Sequence, residues 1–80
     1  MGNHLHLISN NGGAFRVPSV ELSTVQMPSS LVDSLGYMYE SCLFVIGVNS
    51  EVLARYDSLS EAVQGHHELA LKHNLKLQVK

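Results

Sequence analysis

The chain has 80 residues, 45% of them apolar and 15% charged, and a formal net charge of −2. A chain of this size buries roughly 60% of its unfolded surface, enough for one core but not for a deep enclosing cleft as well. The five basic residues, Arg16, Arg55, Lys72, Lys76 and Lys80, form no cluster of the kind that argues for DNA or RNA binding.

The charged fraction is low against the roughly 25% of an average domain. It predicts a well-covered core or a partner that hides apolar surface, either a bound target or a second copy in a homodimer. The lone Cys42 excludes an internal disulfide and fits a cytoplasmic setting. No apolar run reaches the roughly 18 residues of a membrane span. The N-terminus lacks the basic start and apolar stretch of a signal peptide. Neither membrane association nor export is therefore expected. The expected fold is α+β, a single domain over 1–80 with a small antiparallel sheet and one main amphipathic helix on one face.

His4-Leu5-His6-Leu7-Ile8 alternates with the period of a half-buried strand, Leu5 and Leu7 pointing one way, His4 and His6 the other. Asn10-Asn11-Gly12-Gly13 tolerates the positive φ of a tight hairpin turn, and Ala14–Val17 reads as the returning strand. Pro18 ends that strand or places it at an edge, closing an N-terminal hairpin over 1–18. The segment 19–36 reads as irregular, or as a short strand and a helical turn. Val20, Leu22 and Thr24 alternate with Glu21 and Ser23 as in a short strand. Leu31–Leu35 is either one helical turn, capped by Ser29 or Ser30 and stopped by Gly36, or a loop over the core.

Tyr37–Val48 carries the strongest strand signal, rich in aromatic and β-branched residues. Leu43-Phe44-Val45-Ile46 is apolar on both faces, which predicts a central strand covered on one side by the helix and on the other by a loop or another subunit. Gly47–Ser50 turns the chain and Glu51–Tyr56 returns, a central hairpin over 37–56. Ser58 followed by Glu61 has capping-box spacing, with Asp57 as a rival cap. The helix over 58–73 gathers Leu59, Ala62, Val63, His66, Leu69, Ala70 and His73 on one face, opposite Glu61, Gln64, Glu68 and Lys72. Asn74 is its stop, and 75–79 alternates as a terminal strand.

Five histidines raise a metal hypothesis. His4 and His6 project from one strand face at a spacing found in zinc sites. His66 and His73 share a helix face but lie about 10 Å apart along it. A metal site would need His4 and His6 beside His66 or His67, with Cys42 or a carboxylate as a further ligand. The plainer reading places His4 and His6 on the wet face of an edge strand, with no cofactor. His66 falls in the middle of the apolar helix face, just after Gly65. A helical glycine costs about 1 kcal/mol relative to alanine, and close approach by another backbone is one reason to keep it. His66 then reads as a core histidine hydrogen-bonded to the sheet, structural alongside Ser58, Glu61 and Gly65.

Catalytic residues are not expected. A Cys42–His66 pair requires the helix to pack on the strand face shared by Glu40, Cys42 and Phe44. No paired carboxylates stand out, and Asn11-Gly12-Gly13 is too short for a phosphate loop. Tyr37, Tyr39, Arg55 and Tyr56 gather on the hairpin, Tyr37 and Tyr39 on the strand face of Leu43 and Val45. Such residues suit either a core or a partner-binding surface.

Tyr39-Glu40-Ser41-Cys42-Leu43-Phe44, Ala54-Arg55-Tyr56, Ser60-Glu61-Ala62 and Gly65-His66-His67-Glu68-Leu69 together resemble a small family of tailed-bacteriophage and prophage proteins of no settled activity. Its members tend to show a Tyr-Glu-Thr-x-x-Phe strand, a short return strand ending near Tyr, and a Glu-Ala-x-x-Gly-His helix. The resemblance spans 39–70, with Ser41 where Thr is usual and a shorter connection between the strands. It implies no catalytic residue. It implies a phage-encoded, non-enzymatic interaction protein that binds and modulates or inhibits a host or defence protein in the infected cell's cytoplasm. Two rivals stand beside it: a small metal- or ligand-binding domain using His4, His6 and the helix histidines, and a minor virion or assembly component acting as a homo-oligomer.

Overall fold

The computed structural model describes residues 5–12, 19–45 and 47–78. Strand β1 (His6–Asn10) pairs with β2 (Val20–Gln26), which leads through a short helix, α1 (Ser29–Leu35), into β3 (Tyr39–Val45). The hairpin partner of β3 is β4 (Asn49–Tyr56). Helix α2 (Leu59–Lys72) then runs back over one face of the sheet and delivers β5 (Lys76–Leu77) to the free side of β1. The result is the expected α+β fold, a five-stranded antiparallel sheet in the order β4-β3-β2-β1-β5 with one main helix packed against it. No helix among the described residues is long and apolar enough to cross a membrane.

The middle strand is β2, not the Tyr37–Val48 segment. Its burial peaks at Leu22, Ser23 and Thr24, in a segment expected to be irregular or a short strand. Its alternation is short, and hydroxyl side chains occupy positions where apolar ones announce a central strand. β3 lies one place nearer the edge. Its Phe44 is 37% exposed on the face that α2 leaves uncovered, and among the described residues no loop supplies the second cover there. The strand expected at Ala14–Val17 and the position of Ile46 lie outside the described residues. The partner of β1 is β2, and the first rung beyond their ladder is the Asn11 N–H donating to the Val20 carbonyl at 3.3 Å. A tight turn at Asn10–Gly13 therefore does not join these two strands.

The ends of α2 follow the sequence closely. The Ser58 side chain accepts from the Glu61 N–H at 3.2 Å, and its hydroxyl donates to the Glu61 carboxylate at 2.9 Å. The stop at Asn74 takes a φ of 57°. In α1, Gly36 adopts φ 80° and its N–H reaches the Val32 carbonyl, as expected of a glycine stop. Pro28, not Ser29 or Ser30, holds the N-cap position, and no side chain caps that helix.

The apolar core is small. Leu22, Ala70 and Leu75 form its centre, with Val20, Leu43, Leu53 and Leu69 packed around it. Tyr39 and Ala62 are also buried. Leu59, expected on the buried stripe of α2, is 53% exposed at the helix's first residue. A bulge leaves Leu53 as the extra residue between the pairs Ser41–Ala54 and Cys42–Val52. It lets Leu53 join the core while Val52 and Arg55 face the uncovered side.

Candidate functional site

Beneath α2 the sheet presents hydroxyls beside its apolar side chains. The register sets Thr24 of β2 beside Ser41 of β3, and Ser9 of β1 beside Leu22. On α2, Ala62, His66 and Ala70 recur every fourth residue and are the buried ones, so two small side chains bring the helix close and the imidazole between them enters the sheet. His66 is fully buried, and both ring nitrogens are engaged. Nε2 lies 2.8 Å from Ser9 Oγ and Nδ1 lies 2.7 Å from Thr24 Oγ1. Thr24 Oγ1 is 2.5 Å from Ser41 Oγ, which is 3.0 Å from the phenol oxygen of Tyr56. A hydrogen-bonded chain of five side chains thus crosses four strands, and among the described residues no buried side-chain polar atom lacks a partner.

Burial assigns the direction of this chain. A neutral imidazole has one donor and one acceptor. If Nε2–H donates to Ser9, the Ser9 hydrogen has no acceptor among its described contacts, although Ser9 is fully buried. If Nδ1–H donates to Thr24, each hydroxyl passes its hydrogen onward: Ser9 to Nε2, Thr24 to Ser41, and Ser41 to Tyr56. The phenol hydrogen is then left at the half-buried end of the chain. The second arrangement leaves its one unmatched hydrogen on the half-buried phenol and not on the fully buried Ser9, which favours the Nδ1–H tautomer of His66.

Burial also pushes the His66 imidazole down to about 4, with His67 a smaller influence in the same direction. Ser9, His66 and Thr24 have the spacing of a nucleophile, its base and an orienting acceptor. Two facts oppose catalysis there. Ser9 Oγ is closed off beneath the helix, and an imidazole held this acidic is a weak base near neutral pH.

The other face of the sheet carries a second cluster. Glu40 accepts from the Tyr37 hydroxyl at 2.6 Å and from the Cys42 thiol at 3.2 Å, and Arg55 Nε lies 3.7 Å away. The Arg55 guanidinium stacks over the Tyr37 ring, 4.9 Å from its centroid. The Tyr37 hydrogen bond, with help from Cys42 and Arg55, holds Glu40 below the usual carboxylate range despite partial burial. The same bond raises Tyr37. Burial, then the Glu40 carboxylate, pushes the Cys42 thiol up to about 11. Phe44 and Val52, 37% and 42% exposed, flank the cluster.

The residues singled out from the sequence divide between these two faces. Gly65 and His66 belong to the helix–sheet interface as expected, but the group that approaches Gly65 is the Tyr56 side chain, not another backbone. Tyr39, expected among the partner contacts, is buried in the core, and Tyr56 is committed to the polar chain. Tyr37 precedes β3 and reaches across to Glu40, away from the face of Tyr39 and Leu43; Arg55 lies with it. Cys42 and His66 are on opposite faces of the sheet, which rules out a Cys–His pair. His6 is likewise on the face away from His66 and bonds Ser23 Oγ at 3.2 Å, while His67 is exposed. His4 lies outside the described residues. Among the described residues no three His, Cys, Asp or Glu side chains are placed to hold a metal ion. Ser9, Thr24 and Ser41 escaped sequence reasoning. Their signal was a hydroxyl on the apolar phase of three strands, coupled to a histidine on the apolar stripe of the helix.

Compared with protein-family models, with curated proteins and with solved structures, the chain matches none.

Proposed function

We propose that this chain is a non-enzymatic interaction protein that docks on a protein partner through the sheet face opposite α2. The observation that carries the reading is the Tyr37–Arg55–Glu40 cluster on that face. Tyrosine and arginine are the residue types that dominate binding energy when a partner buries them. Here each is held in place by the other and by Glu40, so little side-chain freedom is lost on binding. The guanidinium keeps most of its donors toward solvent, its side chain being 57% exposed. Phe44 and Val52 supply apolar surface beside it.

The resemblance over 39–70 extends this to a phage-encoded modulator or inhibitor of a host or defence protein, acting in the cytoplasm of the infected cell. The test is affinity purification from infected cells with mass spectrometry, comparing the native sequence with Arg55→Ala. One host complex recovered in stoichiometric amount, and lost with Arg55→Ala, supports the reading. Turnover of a nucleotide, peptide or ester by the purified protein, abolished by changing His66, overturns it. The same uncovered face also suits a second copy, as in a minor virion or assembly component. Light scattering, and detection of the chain in purified particles, separates that reading from the first.

A further inference from the structure

We propose that His66 is an acid-sensitive latch: adding a proton to its imidazole releases α2 from the sheet and opens the apolar surface beneath the helix. The argument begins with the direction of the polar chain. Ser9 donates to Nε2, so the proton can enter only where Ser9 already points. An imidazolium has two donors and no acceptor. Ser9 would have to turn from donor to acceptor, and its own hydrogen would lose its acceptor in a fully buried place. The protonated ring would then combine a buried charge with a stranded buried donor.

Among the described residues nothing around the ring compensates that charge. β1 presents Ser9, β2 presents Thr24, and β3 and β4 present Ser41 and the Tyr56 phenol through the chain. From α2 itself the nearest titratable neighbour is His67, with ring centroids 6.1 Å apart, and its charge acts in the wrong sense. No carboxylate faces His66 among the described residues. Beside His66, the helix is held by the buried Ala62 and Ala70 and by Leu69 packed against the core, none of which can offset a buried charge.

The sign follows from linkage. The ring is held at about 4 in the fold against 6.5 for an ordinary histidine. Between these values the unfolded chain binds the extra proton and the folded chain does not. Stability is complete above pH 6.5 and falls as pH drops, by about tenfold in the folding constant per pH unit, until the folded ring also protonates. Glu40, held below its ordinary 4.5, loses its contribution beneath that value, so the part of the His66 window between pH 4.5 and 6.5 lies above it.

The experiment measures urea unfolding and binding of a hydrophobic dye between pH 7 and pH 4.5, for the native sequence and for His66→Gln, which keeps a donor and an acceptor but does not titrate. The expected result is a folding constant reduced about tenfold or more by pH 5 in the native chain and not in the variant, with dye binding in the native chain rising only below pH 5 as the imidazole takes up its proton. Because His66→Gln can fail to fold, nitrogen-15 spectra of the native imidazole provide a second measurement. A neutral Nδ1–H ring persisting below pH 5 supports the latch. Protonation near 6.5 in the folded state, a native stability unchanged from pH 7 to pH 5, or an equal acid response in His66→Gln overturns it.

Discussion

The phenol ring of Tyr56 lies directly against the backbone of Gly65, so that a Cβ built on the glycine would stand 2.6 Å from Cζ and 2.5 Å from the phenol oxygen. This contact carries the far end of the polar chain under the helix, and it explains a glycine in the middle of α2. Gly65→Ala gains about 1 kcal/mol of helix propensity but forces the ring or the helix to move, at about 1–3 kcal/mol. A net loss of about 1 kcal/mol is expected in urea unfolding. In a Tyr56→Ala background the clash is gone, and the same change should stabilise by about 0.5–1 kcal/mol. A Gly65→Ala change that stabilises both backgrounds equally would remove Tyr56 as the reason for the glycine.

Ser9 and Thr24 hold the two nitrogens of one buried ring, and their removal should be unequal. Ser9→Ala leaves Nε2 without a donor, at about 1–3 kcal/mol. Thr24→Val leaves the Nδ1–H without an acceptor and interrupts the relay to Ser41, so its loss should be the larger. Both act on the same imidazole, and the double variant should lose less than the sum of the two. Chemical denaturation of the four proteins in one buffer above pH 7 makes the comparison, since His66 is neutral there in both states. Full additivity would mean that the two hydroxyls stabilise the fold independently of His66.

Much of this was legible in the sequence, and what was not has a physical cause. The helix, its Ser58 cap, its Asn74 stop and His66 as a buried, hydrogen-bonded side chain follow from periodicity and capping chemistry, which act within a turn or two. The place of β2 at the centre of the sheet does not. Strand order depends on pairing between distant segments, and Ser23 and Thr24 disguise a buried strand as a polar one. Tyr39 and Tyr37 show the same limit. Two residues apart they read as one face, yet Tyr37 lies before the strand begins and is turned away by its bond to Glu40.

Cys42 should be a slow thiol. Burial and the neighbouring Glu40 carboxylate push it up to about 11, so the reactive thiolate is scarce at pH 8. Alkylation by iodoacetamide should run about tenfold or more slower in the folded protein than in urea. Glu40→Gln removes the carboxylate and should speed the reaction of the folded chain without unfolding it. Mass spectrometry over a time course reads both rates. Equal rates in folded and unfolded protein would place the thiol in open water instead.

Tyr37 and Arg55 should matter for binding and hardly at all for stability. The Arg55–Glu40 pair is 3.7 Å apart with the arginine 57% exposed, and exposed pairs contribute about 0–1 kcal/mol. Arg55→Ala and Tyr37→Ala should therefore each shift unfolding by no more than about 1 kcal/mol. On a buried interface the same truncations cost about 2 kcal/mol or more, at least tenfold in Kd. Arg55→Lys keeps the charge but loses the flat stacking over Tyr37, and should recover only part of the affinity. Titration calorimetry against the recovered partner, with a urea curve for each variant, separates these effects. Variants that bind as well as the native chain would move the docking surface away from this face. Variants that lose binding only in step with lost stability would make the cluster a structural feature of the sheet.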